Sequence, residues 1–118
     1  MLKIIKLWLP VLTCMGFIFY TSSIPADKIP YLFKHQDIAY HFLIYLILAL
    51  CFTRAVKNTY KNISALKIIL LTVIFGVIYG ISDEWHQSFT LYRDVSGFDI
   101  FIDGLGSFIG SLVYQWLR

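Results

Sequence analysis

Four long apolar runs, separated by short polar connectors, dominate the sequence and restrict what the chain can fold into. The runs cover about residues 4–22, 37–53, 68–85 and 98–117. A helix needs about 20 apolar residues to cross the hydrocarbon core of a bilayer. Hydrophobic residues make up 58% of the 118 residues, which is more apolar surface than so short a chain can bury in its own interior. The sequence therefore predicts a single all-α domain, residues 1–118, that is an integral membrane bundle of four transmembrane helices joined by short loops.

The first run follows two lysines, Lys3 and Lys6, so a cleaved signal peptide is an alternative interpretation. Against it, the apolar run continues through residues 17–20, and no small-residue cleavage site follows. We therefore expect this segment to be a retained helix.

The distribution of basic residues predicts the orientation of the bundle. Short cytoplasmic loops of membrane proteins carry an excess of lysine and arginine. If the chain crosses four times, one side collects Lys3, Lys6, Arg54, Lys57, Lys61, Lys67 and Arg118. The connectors at residues 21–36 and 86–97 lie on the other side, where opposite charges nearly cancel. We expect both termini on the cytoplasmic side of the membrane.

Acidic residues concentrate in one window, residues 79–110, which holds five of the seven carboxylates. Charges are costly near hydrocarbon, so ionisable residues at membrane depth indicate a functional site. In the predicted topology, residues of three helices meet near the outer surface. They are Asp37 and His41 from the second helix, Asp83, Glu84 and Gln87 from the third, and Asp99 and Asp103 from the fourth.

Helical spacing predicts which of these side chains share a face. Glu84 and Gln87 are three residues apart, and His41 and Tyr45 are four apart. Asp99 and Asp103 continue into two glycines, Gly106 and Gly110, which favour close helix contact, so this face should point inward. Asp103 lies too deep to act as a helix cap. It needs Arg93, His41 or a cation as partner, or it must be protonated.

Several chemistries remain open for these residues. Candidate catalytic residues are Glu84, His41 and Asp103. Arg93 can clamp a phosphate or form an ion pair with Glu84 or Asp99. His41 can carry protons, bind a metal or join two helices by a hydrogen bond. We interpret Asp83 as a helix-end carboxylate in the headgroup region, and His35 and His86 as interfacial bystanders.

No cofactor is predicted, although a divalent cation is compatible with the acidic residues. The metal-ligand candidates are Glu84, Asp99 and Asp103, together with His41. The signal is weak because no dense ligand spacing of the His-Glu-x-x-His type is present. The glycine pairs Gly76/Gly80 and Gly106/Gly110 predict helix packing within one chain or between chains, so an oligomer remains open.

At these residues the chain resembles the VanZ family of small bacterial membrane proteins. The family pattern is Glu-x-x-Gln, an aromatic residue, an arginine, a small polar residue, acidic or amide positions and two glycines. The matching residues are Glu84, Gln87, Phe89, Arg93, Ser96, Asp99, Asp103, Gly106 and Gly110. Upstream, His41 and Tyr45 fit the family's His-x-x-x-Tyr, Asp37 fits an acidic residue ahead of it, and residues 23–25 fit a Ser-x-Pro.

The chain departs from the family pattern at three places. Ile38 stands where a lysine is frequent, Leu91-Tyr92 replaces a Pro-Gly, and Asp103 replaces a common asparagine. The resemblance implies a membrane-embedded fold and a role in the bacterial cell envelope. Through the family's name, it also implies resistance to teicoplanin. The implied ligand-binding residues are Arg93, Glu84, Gln87, Asp99, Asp103, His41, Tyr45 and Ser96.

Three functional hypotheses follow. The leading one is a cell-envelope protein whose outer-leaflet polar pocket binds the headgroup of a membrane lipid or a lipid-linked cell-wall precursor, and so modulates glycopeptide susceptibility. The first alternative is a membrane-embedded hydrolase or transferase that uses carboxylates or a metal on a lipid-linked substrate. The second is ion- or proton-coupled transport of a small solute by an oligomer. The sequence contains no basic patch with interleaved aromatic residues, so nothing in it indicates nucleic-acid binding.

Overall fold

A computed structural model describes residues 1–117, so the predicted contribution of Arg118 to the basic side lies outside the described residues. The helices are α1 (Leu2–Ser22), α2 (Gln36–Thr59), α3 (Ala65–Gln87) and α4 (Gly97–Leu117), with a short 3₁₀ turn at Ala26–Lys28. Residues 1–117 contain no β-strand. All four α-helices are long and apolar enough to cross a membrane. The predicted all-α, four-helix architecture is confirmed at this level.

The second helix is longer than the sequence suggested. It was expected to end near Thr53, but α2 continues to Thr59 and includes part of the basic connector. Arginine, alanine and lysine favour helix, and long basic side chains can reach water from a helix that leaves the hydrocarbon. The connector is therefore only residues 60–64. The Ser64 hydroxyl oxygen accepts a hydrogen bond from the Lys67 amide at 3.2 Å and caps α3.

The bundle has apolar side chains outside and many polar side chains inside. Large leucine, isoleucine and phenylalanine side chains are exposed along all four helices. In the most apolar window of each helix, no more than 39% of the residues are buried within the chain. Water would not tolerate such a surface, whereas lipid does. The arrangement is that of a multi-pass membrane protein.

Close backbone contact between α2 and α4 depends on two glycines. A Cβ atom at Gly106 would lie 2.6 Å from the carbonyl oxygen of Phe42, and one at Gly110 would lie 2.5 Å from that of Leu46. Real Cβ atoms essentially never come so close to an oxygen. The glycines therefore let α4 rest directly on the backbone of α2.

The glycines of α3 pack against α4 in the same chain. Gly76 faces the Ser107 side chain, and a Cβ atom at Gly80 would lie 2.6 Å from Asp103 Oδ2. Both glycine pairs thus lie at helix contacts within one chain. Helix α1 packs mainly on α2, where Leu7, Val11 and Ile18 join the apolar core of the bundle.

The contact between α2 and α4 predicts the effect of adding a single methyl group. Gly106→Ala should destabilise the bundle by about 1–3 kcal/mol, because a carbonyl oxygen of α2 must move away. Gly16→Ala is the matched control, since a Cβ atom there meets nothing within 4 Å. The control should be neutral or gain up to about 1 kcal/mol from helix propensity. Unfolding in mixed micelles, followed by circular dichroism, measures both variants. Equal stability of the two would contradict the packing described.

Candidate functional site

One end of the bundle is formed where α1 and α3 finish and α2 and α4 begin, and we call it the acidic end. Polar side chains from all four helices turn inward there. We call this set the carboxylate–histidine cluster, and each member is at most 8% exposed: Ser22, His41, Asp83, Glu84, Gln87, Asp99 and Asp103. Buried polar groups are expensive unless they are paired, so their partners decide what the cluster can do.

His41 lies between the two aspartates of α4. Its Nδ1 atom is 2.9 Å from Asp103 Oδ1, and its Nε2 atom is 3.9 Å from Asp99 Oδ2. An ionised carboxylate can only accept, so opposite an ionised Asp103 the Nδ1 atom carries the hydrogen and donates it. This bond fixes the orientation of the imidazole ring and directs Nε2 toward Asp99. The aspartates lie one turn apart on α4, which is why a single ring can face both.

Asp83 belongs to the cluster, contrary to its interpretation as a helix-end carboxylate in the headgroup region. That interpretation is wrong, because Asp83 is only 5% exposed. The Ser22 hydroxyl donates to Asp83 Oδ1, and the Gln87 amide donates to Asp83 Oδ2 at 3.3 Å. The four-residue spacing of Asp83 and Gln87 places both on the face that α1 covers.

Glu84 connects α3 to the start of α4. Its Oε2 atom accepts a hydrogen bond from the Ser96 backbone amide at 2.9 Å, whereas its buried Oε1 atom has no partner within residues 1–117. Ser96 was predicted to bind ligand, but its hydroxyl oxygen accepts a bond from the Phe98 amide at 3.1 Å and so caps α4. Ser96 thus holds Glu84 through its backbone.

Arg93 makes neither of the ion pairs expected with Glu84 or Asp99 among the described residues. Its Nε atom donates to the Ile24 carbonyl at 2.9 Å, and its Nη2 atom donates to the Thr21 carbonyl at 2.6 Å. The last carbonyls of a helix lack intrahelical partners and carry partial negative charge, which attracts a cation. The guanidinium therefore fastens the connector between α3 and α4 to the end of α1.

A second polar layer lies deeper in the bundle. Tyr45 is fully buried, its ring stacks on that of His41, and its hydroxyl has no partner. Further along the helices, Thr53 is hydrogen-bonded to Thr72 at 3.2 Å and to Ser111 at 3.0 Å. These hydroxyls join α2, α3 and α4 by hydrogen bonds inside an otherwise apolar span.

Two of the predicted bystanders stay outside the cluster. His86 stacks on Phe19 and shares a 2.9 Å hydrogen bond with Ser23 at the surface. His35 is exposed at the start of α2.

The predicted ligand residues His41, Glu84, Gln87, Asp99 and Asp103 do come together. Ser22 was missed, since serine near a helix end is a common cap or turn residue. Its position in the Ser-Ser-x-Pro stretch at the end of α1 was the available signal.

The cluster contains two sets of groups with metal-ligand geometry. They are His41 with Glu84 and Asp99, and His41 with Asp83 and Asp103; within each set the ligand atoms lie within 4.8 Å of one another. Without a metal, His41 and its paired aspartate can also accept and release a proton, as an oriented base does. The site therefore suits cations, hydrogen-bond donors and proton transfer better than it suits an anion.

The fold and the site together define a class: a small multi-pass helical bundle with a buried acidic site at one end. Comparisons of the chain with protein-family models, curated proteins and solved structures found no match.

Proposed function

We propose that this chain is a VanZ-like protein of the bacterial cytoplasmic membrane, with both termini inside and the acidic end at the outer surface. There, the carboxylate–histidine cluster binds the headgroup of a membrane lipid or of a lipid-linked cell-wall precursor. By occupying that headgroup, the protein modulates susceptibility to teicoplanin-type glycopeptides.

Charge asymmetry between the two ends of the bundle supports the orientation. The end opposite the acidic end carries basic residues on the starts of α1 and α3, on the last turns of α2 and in the connector that follows it: Lys3, Lys6, Arg54, Lys57, Lys61 and Lys67. Basic connectors remain on the cytoplasmic side.

Labelling with a membrane-impermeant maleimide tests this orientation. Cys14→Ser and Cys51→Ser remove the native thiols, and single cysteines are then introduced as Asp94→Cys at the acidic end or Asn62→Cys at the basic end. On intact cells, we expect labelling at position 94 only, because only that connector faces outward. Both should react after the cells are opened. Labelling at position 62 alone on intact cells would show that the orientation is opposite to the one proposed.

The main support for a binding function is that two buried carboxylate oxygens have no hydrogen-bond partner among the described residues. Glu84 Oε1 and Asp103 Oδ2 are both shielded from solvent and accept no hydrogen bond. Leaving such a group unsatisfied costs about 1–3 kcal/mol or more for a charged group, so its persistence indicates a ligand or another functional constraint. The ammonium and hydroxyl groups of lipid and precursor headgroups are suitable donors.

A groove beside the cluster supplies a place for an acyl chain. It has a volume of about 200 Å³ and lies between α1 and α3, where Phe19, Tyr79 and Trp85 line it together with Ser82, Asp83 and His86. Apolar rings next to a buried carboxylate match a molecule with an apolar tail and a polar head. The groove adjoins the cluster at Asp83.

The VanZ resemblance supports the envelope role through the same residues. Glu84, Gln87, Asp99 and Asp103 belong to the shared pattern, and all four are buried in the cluster. Arg93 also belongs to the pattern, but its observed contacts are with the carbonyls of Thr21, at the end of α1, and Ile24, just after it. We therefore assign Arg93 to the stability of the outer connector and not to phosphate contact.

Teicoplanin susceptibility of a Gram-positive host that expresses the protein tests this function. We expect the wild type to raise the minimum inhibitory concentration. Glu84→Gln and Asp99→Asn should return it to the level of the empty vector, because each removes a buried acceptor charge while keeping side-chain size.

Asp94→Asn is the matched control, since Asp94 is exposed in the neighbouring connector and its loss should leave resistance intact. Membrane levels of each variant are measured in parallel by an epitope tag. Wild-type resistance in both cluster variants at normal membrane levels would remove the proposal.

A further inference from the structure

We propose that His41, Glu84 and Asp99 form a site for one divalent transition-metal ion, such as Mn²⁺ or Zn²⁺. Asp103 orients the histidine from behind. The metal inference stands on the geometry of the cluster alone. Only its link to a lipid headgroup rests on the proposed function.

The three residues come from three different helices and converge without any local sequence motif. His41 lies on α2, Glu84 on α3 and Asp99 on α4, and their ligand atoms lie within 4.8 Å of one another. Metal–ligand distances of about 2.0–2.2 Å place neighbouring ligands roughly 3–3.5 Å apart in a tetrahedral site. His41 Nε2 and Asp99 Oδ2 are 3.9 Å apart, so this pair lies only slightly wider than in a closed tetrahedral site.

An independent observation points to a ligand at this set. Glu84 is only 3% exposed, and its Oε1 atom has no hydrogen-bond partner. The Ser96 amide holds the other carboxylate oxygen, Oε2, which limits rotation of the group. A metal ion would satisfy Oε1 directly.

His41 belongs to both candidate ligand sets, one with Glu84 and Asp99 and the other with Asp83 and Asp103. The hydrogen bond made by its ring decides which set can bind a metal. Nδ1 donates to Asp103 Oδ1 at 2.9 Å, so this nitrogen is not available to a metal. Nε2 then bears the lone pair, and it lies on the side of Asp99. Metal-bound histidines almost always donate their second ring hydrogen to a carboxylate, carbonyl or water, which fixes the tautomer. Asp103 has this role here, and it is therefore a positioning residue.

The chemical types of the three ligands indicate which ions the site prefers, and the exposure of Asp99 indicates how an ion reaches it. One imidazole nitrogen with two carboxylate groups suits Mn²⁺, Fe²⁺ or Zn²⁺, whereas Mg²⁺ and Ca²⁺ prefer oxygen ligands throughout. Three protein ligands leave at least one coordination position open. The Asp99 side chain is 12% exposed, so the site can be reached from the acidic end.

An open metal position also explains how an acidic cluster can accept a phosphate. Arg93 is bound to α1 carbonyls, and the cluster itself repels anions. A phosphate oxygen of a lipid headgroup would complete the metal's coordination sphere. In this way the metal supplies the positive charge that Arg93 does not offer.

Titration of the purified, chelator-treated full chain in detergent micelles with Mn²⁺ tests the site. Loss of the electron paramagnetic resonance signal of free Mn²⁺ reports binding, and competition with Zn²⁺ tests whether both ions share the site. We expect one equivalent per chain, with stoichiometric binding lost in Glu84→Gln and in Asp99→Asn. Because these variants alter two different helices, a folding defect in one leaves the other informative. Circular dichroism and size-exclusion profiles identify such a defect.

The remaining variants separate ligands from their surroundings. Asp103→Ala should weaken binding by about 10–100-fold, the usual effect of losing a residue that orients a ligand. Asp103→Asn should restore most of the affinity, because its amide oxygen can still accept the Nδ1 hydrogen. Asp37→Asn is the control, because it removes an exposed carboxylate at the same end of the bundle. It should bind as the wild type does.

Two results would overturn the assignment: absence of stoichiometric binding by the wild type, or binding that survives Asp99→Asn. The proposed function fails separately. A chain that binds Mn²⁺ but confers no teicoplanin resistance keeps the metal site and loses the envelope role.

Discussion

The contact between α4 and the backbone of α2 determines how close His41 lies to Asp99 and Asp103, the central groups of the carboxylate–histidine cluster. Gly106 and Gly110 rest against the Phe42 and Leu46 carbonyl oxygens, and a side chain at either glycine would push the helices apart. With the helices this close, Asp103 reaches His41, which lies one residue before Phe42. Electrostatic interactions are strong in such a buried interior, so a small displacement would replace a paired carboxylate with an unpaired one.

Some oxygen atoms of the buried acids accept no hydrogen bond from the described residues, and these atoms determine which ligands the cluster favours. Ser22 and Gln87 donate to Asp83, the Ser96 amide donates to Glu84, and His41 donates to Asp103. One oxygen of Glu84 and one of Asp103 remain without donors. Arg93, the nearby permanent cation, donates hydrogen bonds to the Thr21 and Ile24 carbonyls and not to these acids. The excess of acceptors over donors is therefore local to the cluster, and it favours a cationic or hydrogen-donating ligand.

Much of the fold was accessible from sequence, because run length and hydropathy report directly on the lipid environment. The glycine pairs and the Asp99–Asp103 face were accessible for a similar reason, since helical spacing determines which side chains share a face. The end of α2 was placed too early, because a charged residue marks where the hydrocarbon ends and not where the helix ends.

The partners of individual side chains were harder to predict. Asp83 was misjudged since its burial depends on how the end of α1 lies across α3, which no local pattern encodes. Arg93 was expected either to clamp a phosphate or to pair with Glu84 or Asp99, but the carbonyls at the end of α1 and in the following loop are competing acceptors that become visible only once the connectors are placed. The choice of Nδ1 or Nε2 as the donor of His41 likewise required the fold.

Solid-state NMR of the protein in lipid bilayers, with ¹⁵N-labelled histidine and ¹³C-labelled aspartate, tests the central claim most directly. A cluster assembled by the α2–α4 contact predicts a protonated Nδ1 on His41 and strong dipolar coupling to the Asp103 carboxyl carbon, consistent with the 2.9 Å hydrogen bond. An unprotonated Nδ1 without coupling to Asp103 would show that the two helices do not bring these side chains together, and the account of the site would be wrong.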